Sequence, residues 1–172
     1  MVSKTYKFCP QCTSELVRPD TGYIHCSNQA CNFVLYENPT PVVAAIVEDP
    51  STRELILVQS VGWPSTWFAL VTGFLEKHED PNEAVLREVQ EEIGLDGELI
   101  SFVGHYPFRR MNQIIMAYHI QVSGEVKLGD ELADYRRVSV DKVRTWDSGT
   151  GYALRDWLLT QGRTDVEMIQ LR

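Results

Sequence analysis

Apolar positions in residues 1–37 follow no sustained period; this stretch is polar, turn-rich and dotted with cysteines. From residue 41 the pattern changes. Residues 41–48 (Pro-Val-Val-Ala-Ala-Ile-Val-Glu) and 54–59 (Glu-Leu-Ile-Leu-Val-Gln) are short apolar runs around Asp49-Pro50-Ser51, which predicts two strands joined by a turn. Further strands are predicted over 67–71, 99–103, 113–122 and 135–140. Two segments carry a helical period instead. The first opens at Asp80-Pro81, an Asp N-cap with Pro in the first turn, and runs to Ile93, where Gly94 stops it. Its apolar positions Val85, Leu86, Val89 and Ile93 form one stripe. The second helix is predicted over 151–160, with Leu154, Trp157 and Leu158 on its buried face. The alternation of strands and helices predicts an α/β domain over 38–172, behind a small module over 1–37. Asn38-Pro39-Thr40-Pro41 is a proline-stiffened connector between them.

The totals narrow the choice. A chain of 172 residues with 44% hydrophobic and 23% charged positions has a globular composition. The apolar run near 42–47 falls far short of the roughly 20 residues of a membrane span. The first residues lack the apolar core of a secretion signal, so a cytoplasmic location with reduced thiols is expected. Lysine and arginine number 16 against 24 acids, a net charge of −8 that argues against long nucleic acid as a partner. A small phosphate-bearing substrate would then need cations to bridge it to the protein.

Reduced cysteines read first as metal ligands. Cys9-Pro-Gln-Cys12 and Cys26-Ser-Asn-Gln-Ala-Cys31 are two close pairs with 13 residues between them, suited to a tetrahedral four-thiolate Zn2+ site. Such a site has no open position, so this zinc is expected to fold the module and not to do chemistry. The module's Lys4, Lys7 and Arg18 are balanced by Glu15, Asp20 and Glu37, which leaves no footprint for a phosphate backbone. A packing or dimerisation role is expected, and with it a homodimer.

The sharpest chemical signal lies on the first helix. At about 100° per residue, Glu88, Glu91 and Glu92 share one face beside the apolar stripe. Like charges at that spacing repel, and hard divalent cations such as Mg2+ or Mn2+ would relieve them. The surrounding pattern runs Gly73, five residues, Glu79, seven residues, Arg87-Glu88, Val89, one residue, Glu91-Glu92, one residue, Gly94-Leu95. In this it resembles the signature of the Nudix hydrolases, and the likeness extends over about 38–163. The resemblance implies an α/β/α sandwich around a mixed sheet, and hydrolysis of the diphosphate linkage of a nucleotide. It makes Glu88, Glu91 and Glu92 the Mg2+ or Mn2+ ligands, with the Thr72 carbonyl reaching a metal from a tight turn at Gly73. Arg87 would orient the carboxylates, through a bidentate contact with Glu79. A later acid, Glu131 or Asp134, is expected to join them, with Glu131 favoured. The general base is left open among Glu88, Glu131 and another acid.

The substrate is less sharply marked. A zinc ribbon ahead of such a domain is similar to the arrangement in NADH pyrophosphatases and in a second group acting on FAD and ADP-ribose. The resemblance implies an adenine-containing substrate that releases AMP. Tyr106 and Phe108 are expected to stack on a substrate ring, with Phe74 near the approach to the motif and Arg109 or Arg110 on a phosphate. Trp63 lies near the same approach, whereas Trp67 and Phe68 are expected in a core strand. His105 and His119 lack ligand spacing and read as structural. A non-catalytic nucleotide sensor or RNA-binding adaptor on the same scaffold is the alternative; retention of every glutamate weighs against it.

Overall fold

A computed structural model describes residues 6–170, so Lys4 lies outside the described residues. The chain divides into two compact units, Met1–Pro39 and Thr40–Arg172.

The first unit is a three-stranded antiparallel sheet, β1 (Leu16–Val17), β2 (Ile24–Cys26) and β3 (Val34–Leu35), in that order. Its strands are too short to bury a core, and among its described apolar residues only Cys9, Ile24 and Cys26 are buried. A three-stranded ribbon with so little interior needs a further staple.

The second unit is built on β4 (Thr40–Asp49), β5 (Glu54–Ser60), β6 (Val71–Phe74), β7 (Gly97–Phe108), β8 (Gln113–Val122) and β9 (Leu132–Ser139). The sheet order is β7-β8-β4-β5-β9, with β6 paired to β4. One pairing, β4 with β8, is parallel and the others are antiparallel, so the sheet is mixed. The free edge of β4 is shared: β6 takes Val42 to Ala45 and β5 takes Val47 to Asp49. The two partners therefore diverge near Ile46, and the cleft described below opens on the β6 side.

Every second residue of β4 faces one side. Val43, Ala45 and Val47 pack under α1 (Pro81–Ile93), against Ala84, Val85, Val89 and Ile93. Ile46 packs on the other side under α2 (Thr150–Thr160), against Leu154, Trp157 and Leu158. A strand covered on both faces must be apolar throughout, which is why 42–47 reads as a continuous run. This is the expected α/β/α sandwich. Among the described residues, no helix is long and apolar enough to cross a membrane.

Three elements differ from the sequence expectation. The strand expected over 67–71 begins only at Val71; residue 69 makes a single bridge to Val58, and Trp67 and Phe68 face the cleft. The strand expected over 99–103 extends to Phe108. A short parallel pair, β10 (Thr145–Trp146) with β11 (Met168–Ile169), was not expected at all. His119 is structural as expected: it is buried, its Nε2 lies 2.9 Å from Glu48 Oε2, and its ring rests on Trp157.

Candidate active site

Helix α1 starts and stops by local rules. Asp80 Oδ1 accepts from the Asn82 N–H at 2.8 Å, Pro81 occupies the first turn, and Gly94 closes the last turn at φ 68°. With its apolar stripe locked on the sheet, the helix turns Arg87, Glu88, Glu91 and Glu92 into one cleft.

Arg87 is the hub of that face. Its Nε and Nη2 hold both oxygens of Glu79, at 2.7 and 3.0 Å, while Nη1 reaches Glu88 at 2.8 Å and Glu91 at 2.9 Å. Nη2 also donates to the Phe74 carbonyl at 3.3 Å. The bidentate contact expected between Arg87 and Glu79 is thus present. It and the Glu76 backbone N–H hold the Glu79 carboxyl below the usual range.

Glu88 and Glu92 sit deeper. Burial pushes the Glu88 carboxyl up, with Arg87 opposing. Glu92 is pushed up to about 8, first by burial, then by repulsion from Glu88 and Glu131, despite a hydrogen bond from the Thr72 backbone. Its Oε2 is buried without a hydrogen-bond partner. An orphaned oxygen among mutually repelling carboxylates is what a hard divalent cation would satisfy, so these residues fit such an ion. Glu91 lies nearer the solvent, its side chain 57% exposed.

The expected role of Gly73 needs correcting. It sits inside β6, opposite Val43, and not in a tight turn. A Cβ there would overlap the Glu88 carboxylate, so any side chain at 73 would push that carboxylate out of its place.

The cleft has a volume of about 1130 Å3. Thr72, Glu88, Glu91, Glu92 and Glu131 line one part of it, Glu131 arriving from the loop before β9. The aromatic lining comes from Trp63, Trp67, Phe68, Phe74, Phe108 and Trp146. Trp67, expected in the core, is 41% exposed. Phe68 carries the Arg136 guanidinium 4.0 Å from its ring centre.

Tyr106 is not brought to the cleft. It shares a face of β7 with Phe108 but lies two residues further in, beneath α2, where its hydroxyl donates to Asp156 at 3.0 Å. Phe108 sits at the start of α2, with its ring 3.6 Å from where a Gly149 Cβ would be. Of the two arginines after it, in a single turn of 3-10 helix over Arg109–Met111, Arg110 lines the cleft and Arg109 does not. Sequence reasoning missed the wall formed by Arg144 and residues 146–150 with Ile169 and Gln170. No motif marks it; only the pairing of β10 with β11 brings it there.

In the first unit, the four cysteine sulfurs lie within 4.8 Å of one another and form no disulfide. Cys9 and Cys31 are 3.8 Å apart, Cys12 and Cys26 3.4 Å. Sulfurs on a tetrahedral zinc, with bonds of about 2.3 Å, stand ~3.8 Å apart, so the cluster is compatible with zinc. The Asn28 N–H points at Cys26 Sγ at 3.4 Å, the kind of outer contact that steadies a thiolate.

A sandwich of this topology, with a glutamate-lined cleft on one helix, can be set beside known proteins. The NUDIX domain family matches residues 38–158, and the chain belongs to that family. It is 28% identical over 147 residues to the human NAD-capped RNA hydrolase NUDT12, covering 80% of this chain and 32% of that protein. It is 29% identical over 120 residues to the NAD-capped RNA hydrolase NudC of Mycobacterium bovis, covering 68% and 36%. The chain thus spans about a third of the length of these relatives. Among solved structures, a NUDIX hydrolase from Nitrosomonas europaea superposes with TM-score 0.74 at 20% identity, over 96% of this chain and all of that one. An ADP-ribose pyrophosphatase from Streptococcus suis gives 0.60 at 19% identity, over 78% of this chain and all of that one. At these identities the two structures show the shared fold.

Proposed function

We propose that the chain is a divalent-metal-dependent pyrophosphohydrolase that cuts the diphosphate of an adenine dinucleotide or related derivative, of the NADH, FAD or ADP-ribose class, and releases AMP. The observation that carries this reading is the buried, unpartnered Glu92 oxygen beside Glu88, on a helix face that opens into a cleft with aromatic walls. Glu88, Glu91 and Glu92 would hold Mg2+ or Mn2+, with Thr72 alongside. When bound, such cations neutralise the diphosphate and activate water for attack on one phosphorus.

The remaining work falls to the protein. Arg87 and Glu79 fix the carboxylates in place. Glu88, Glu131 or another acid of the cleft takes the proton of the attacking water. Rings of Trp67 and Phe108 offer stacking surface to the two ends of a dinucleotide, and Arg110 is available to the phosphates. The relatives that act on NAD-capped RNA support a nicotinamide-bearing substrate. Cys9, Cys12, Cys26 and Cys31 would hold a structural zinc.

The test is a panel of NADH, FAD, ADP-ribose, a short NAD-capped oligonucleotide and dGTP, each with Mg2+ or Mn2+, with AMP from the free adenine derivatives, NMN from the capped oligonucleotide and dGMP from dGTP followed by chromatography. Release of AMP from at least one adenine derivative is expected. Activity on dGTP alone would overturn the substrate class. Tight nucleotide binding without turnover under any metal would favour the sensor alternative.

A further inference from the structure

A helix leaves its last carbonyls without partners. In α1 this last turn carries Glu91 and Glu92, and the chain returns after β8 to cover it. The Lys127 N–H donates to the Ile93 carbonyl and the Gly129 N–H to the Glu92 carbonyl, both at 2.9 Å. At Gly129 the loop lies almost on the helix: a Cβ there would stand 2.5 Å from the Glu91 carbonyl oxygen, where ordinary contact begins at 3.4 Å. The Gly129 φ is not positive, so the requirement for glycine is one of space alone.

Two residues on, Glu131 lines the cleft and is close enough to Glu92 to raise its pKa. Its own carbonyl accepts the Val61 N–H at 2.9 Å, at the root of the loop bearing Trp63 and Trp67. On the far side, the buried Leu132 donates its N–H to the Gly129 carbonyl at 3.1 Å.

We infer that Gly129 is a positioning residue. Its contact with the end of α1 sets the separation between Glu131 and the Glu88–Glu92 pair, and so holds in one register carboxylates from two distant parts of the chain. This rests on the placing of Glu131 in the site proposed above. Any side chain at 129 must lift the loop by about 1 Å, and displacements of that size in supporting residues cost on the order of 10- to 100-fold in metal affinity or rate.

The test uses the full chain, with Mn2+ binding read by electron paramagnetic resonance and turnover of NADH read alongside. Gly129→Ala is expected to weaken Mn2+ binding and lower kcat by about 10-fold or more with KM nearly unchanged. Glu131→Asp, which retracts the carboxylate by one carbon and leaves the loop intact, is expected to do the same. The double variant Gly129→Ala/Glu131→Gln should be no worse than Glu131→Gln alone, because both changes remove one interaction. Three results would each overturn the inference: a Gly129→Ala loss that persists in full on the Glu131→Gln background, Mn2+ binding and kcat in Gly129→Ala equal to wild type, or Glu131→Asp equal to wild type. If Gly129→Ala does not fold, Glu131→Asp decides the matter. Weakened Mn2+ binding in a protein that turns over no diphosphate would overturn the proposed function and leave Gly129 in its role. Normal NADH turnover in Gly129→Ala would do the reverse.

Discussion

In the metal-free protein, Glu92→Gln should raise stability, and only at neutral to alkaline pH. The folded Glu92 carboxyl is pushed up to about 8 from an ordinary value of 4.5. Below about pH 4.5 it is protonated in both folded and unfolded chains, and the associated stability is fully present. As pH rises the unfolded chain gives up the proton first, so stability is lost progressively until the folded group ionises near 8. At about 1.4 kcal/mol per pKa unit, the upper bound of the loss is about 5 kcal/mol. Water in the open cleft screens part of this, which leaves roughly 3 kcal/mol. The glutamine amide inherits the unpartnered Oε2 position, at a cost of about 1 kcal/mol. The net gain is about 2 kcal/mol, or about 6 °C in Tm for a chain of this size. The assay is thermal melting of both proteins in EDTA from pH 5 to 9, repeated with Mn2+. The gap should open with pH, and Mn2+ should stabilise wild type more at pH 8.5 than at 6 while doing little for the variant. A constant gap across the pH range, or a variant less stable than wild type at pH 9 in EDTA, would refute the reasoning.

Arg87→Ala strands Glu79 and Glu88 without their shared cation, and should lower Tm by several degrees and abolish turnover; Arg87→Lys, which cannot hold both Glu79 oxygens at once, should recover only part of each. Tyr106→Phe should leave KM for NADH unchanged and cost about 1 kcal/mol of stability through the lost bond to Asp156, as chemical denaturation will show. Trp67→Ala should raise KM more for NADH than for ADP-ribose, which lacks the nicotinamide, and equal changes would place its stacking on the adenine and not on the second ring. Elemental analysis should find one zinc per chain, and Cys9→Ser should lose it and destabilise the first unit while kcat changes little.

Helix α1 was legible to the residue because every rule that defines it is local: a cap, a proline, an apolar stripe and a closing glycine. The glutamates followed from the same period. Strand β7 was legible only over 99–103, because the stretch beyond it carries Gly104 and Pro107, residues that read as strand breakers although 104–108 pairs with β8 in unbroken register. Trp67 walls the cleft where a core position is expected, while Phe68 both packs against the core and lines the cleft, since aromatics beside an apolar run look alike whether they fill a core or wall a cleft. Tyr106 and Phe108 are on one face of one strand, and only the position of α2 above them decides which ring reaches the cleft. The wall of Arg144 and residues 146–150 depends on a two-residue parallel pairing some twenty residues away in the chain, a contact too short and too distant to leave a pattern.

The parallel pairing of β4 with β8 bears on how the protein is made. Thr40 meets Gln113 across that ladder, so β4 leaves the ribosome long before its neighbour exists. Its Val42 to Val47 run is apolar on both faces, and one edge stays open until β8 emerges. An open apolar edge invites pairing with other chains. Pairing of such distant segments is also intrinsically slow. Nascent chains halted before residue 113 should therefore aggregate or recruit chaperones, and the tendency should end once β8 has cleared the exit tunnel.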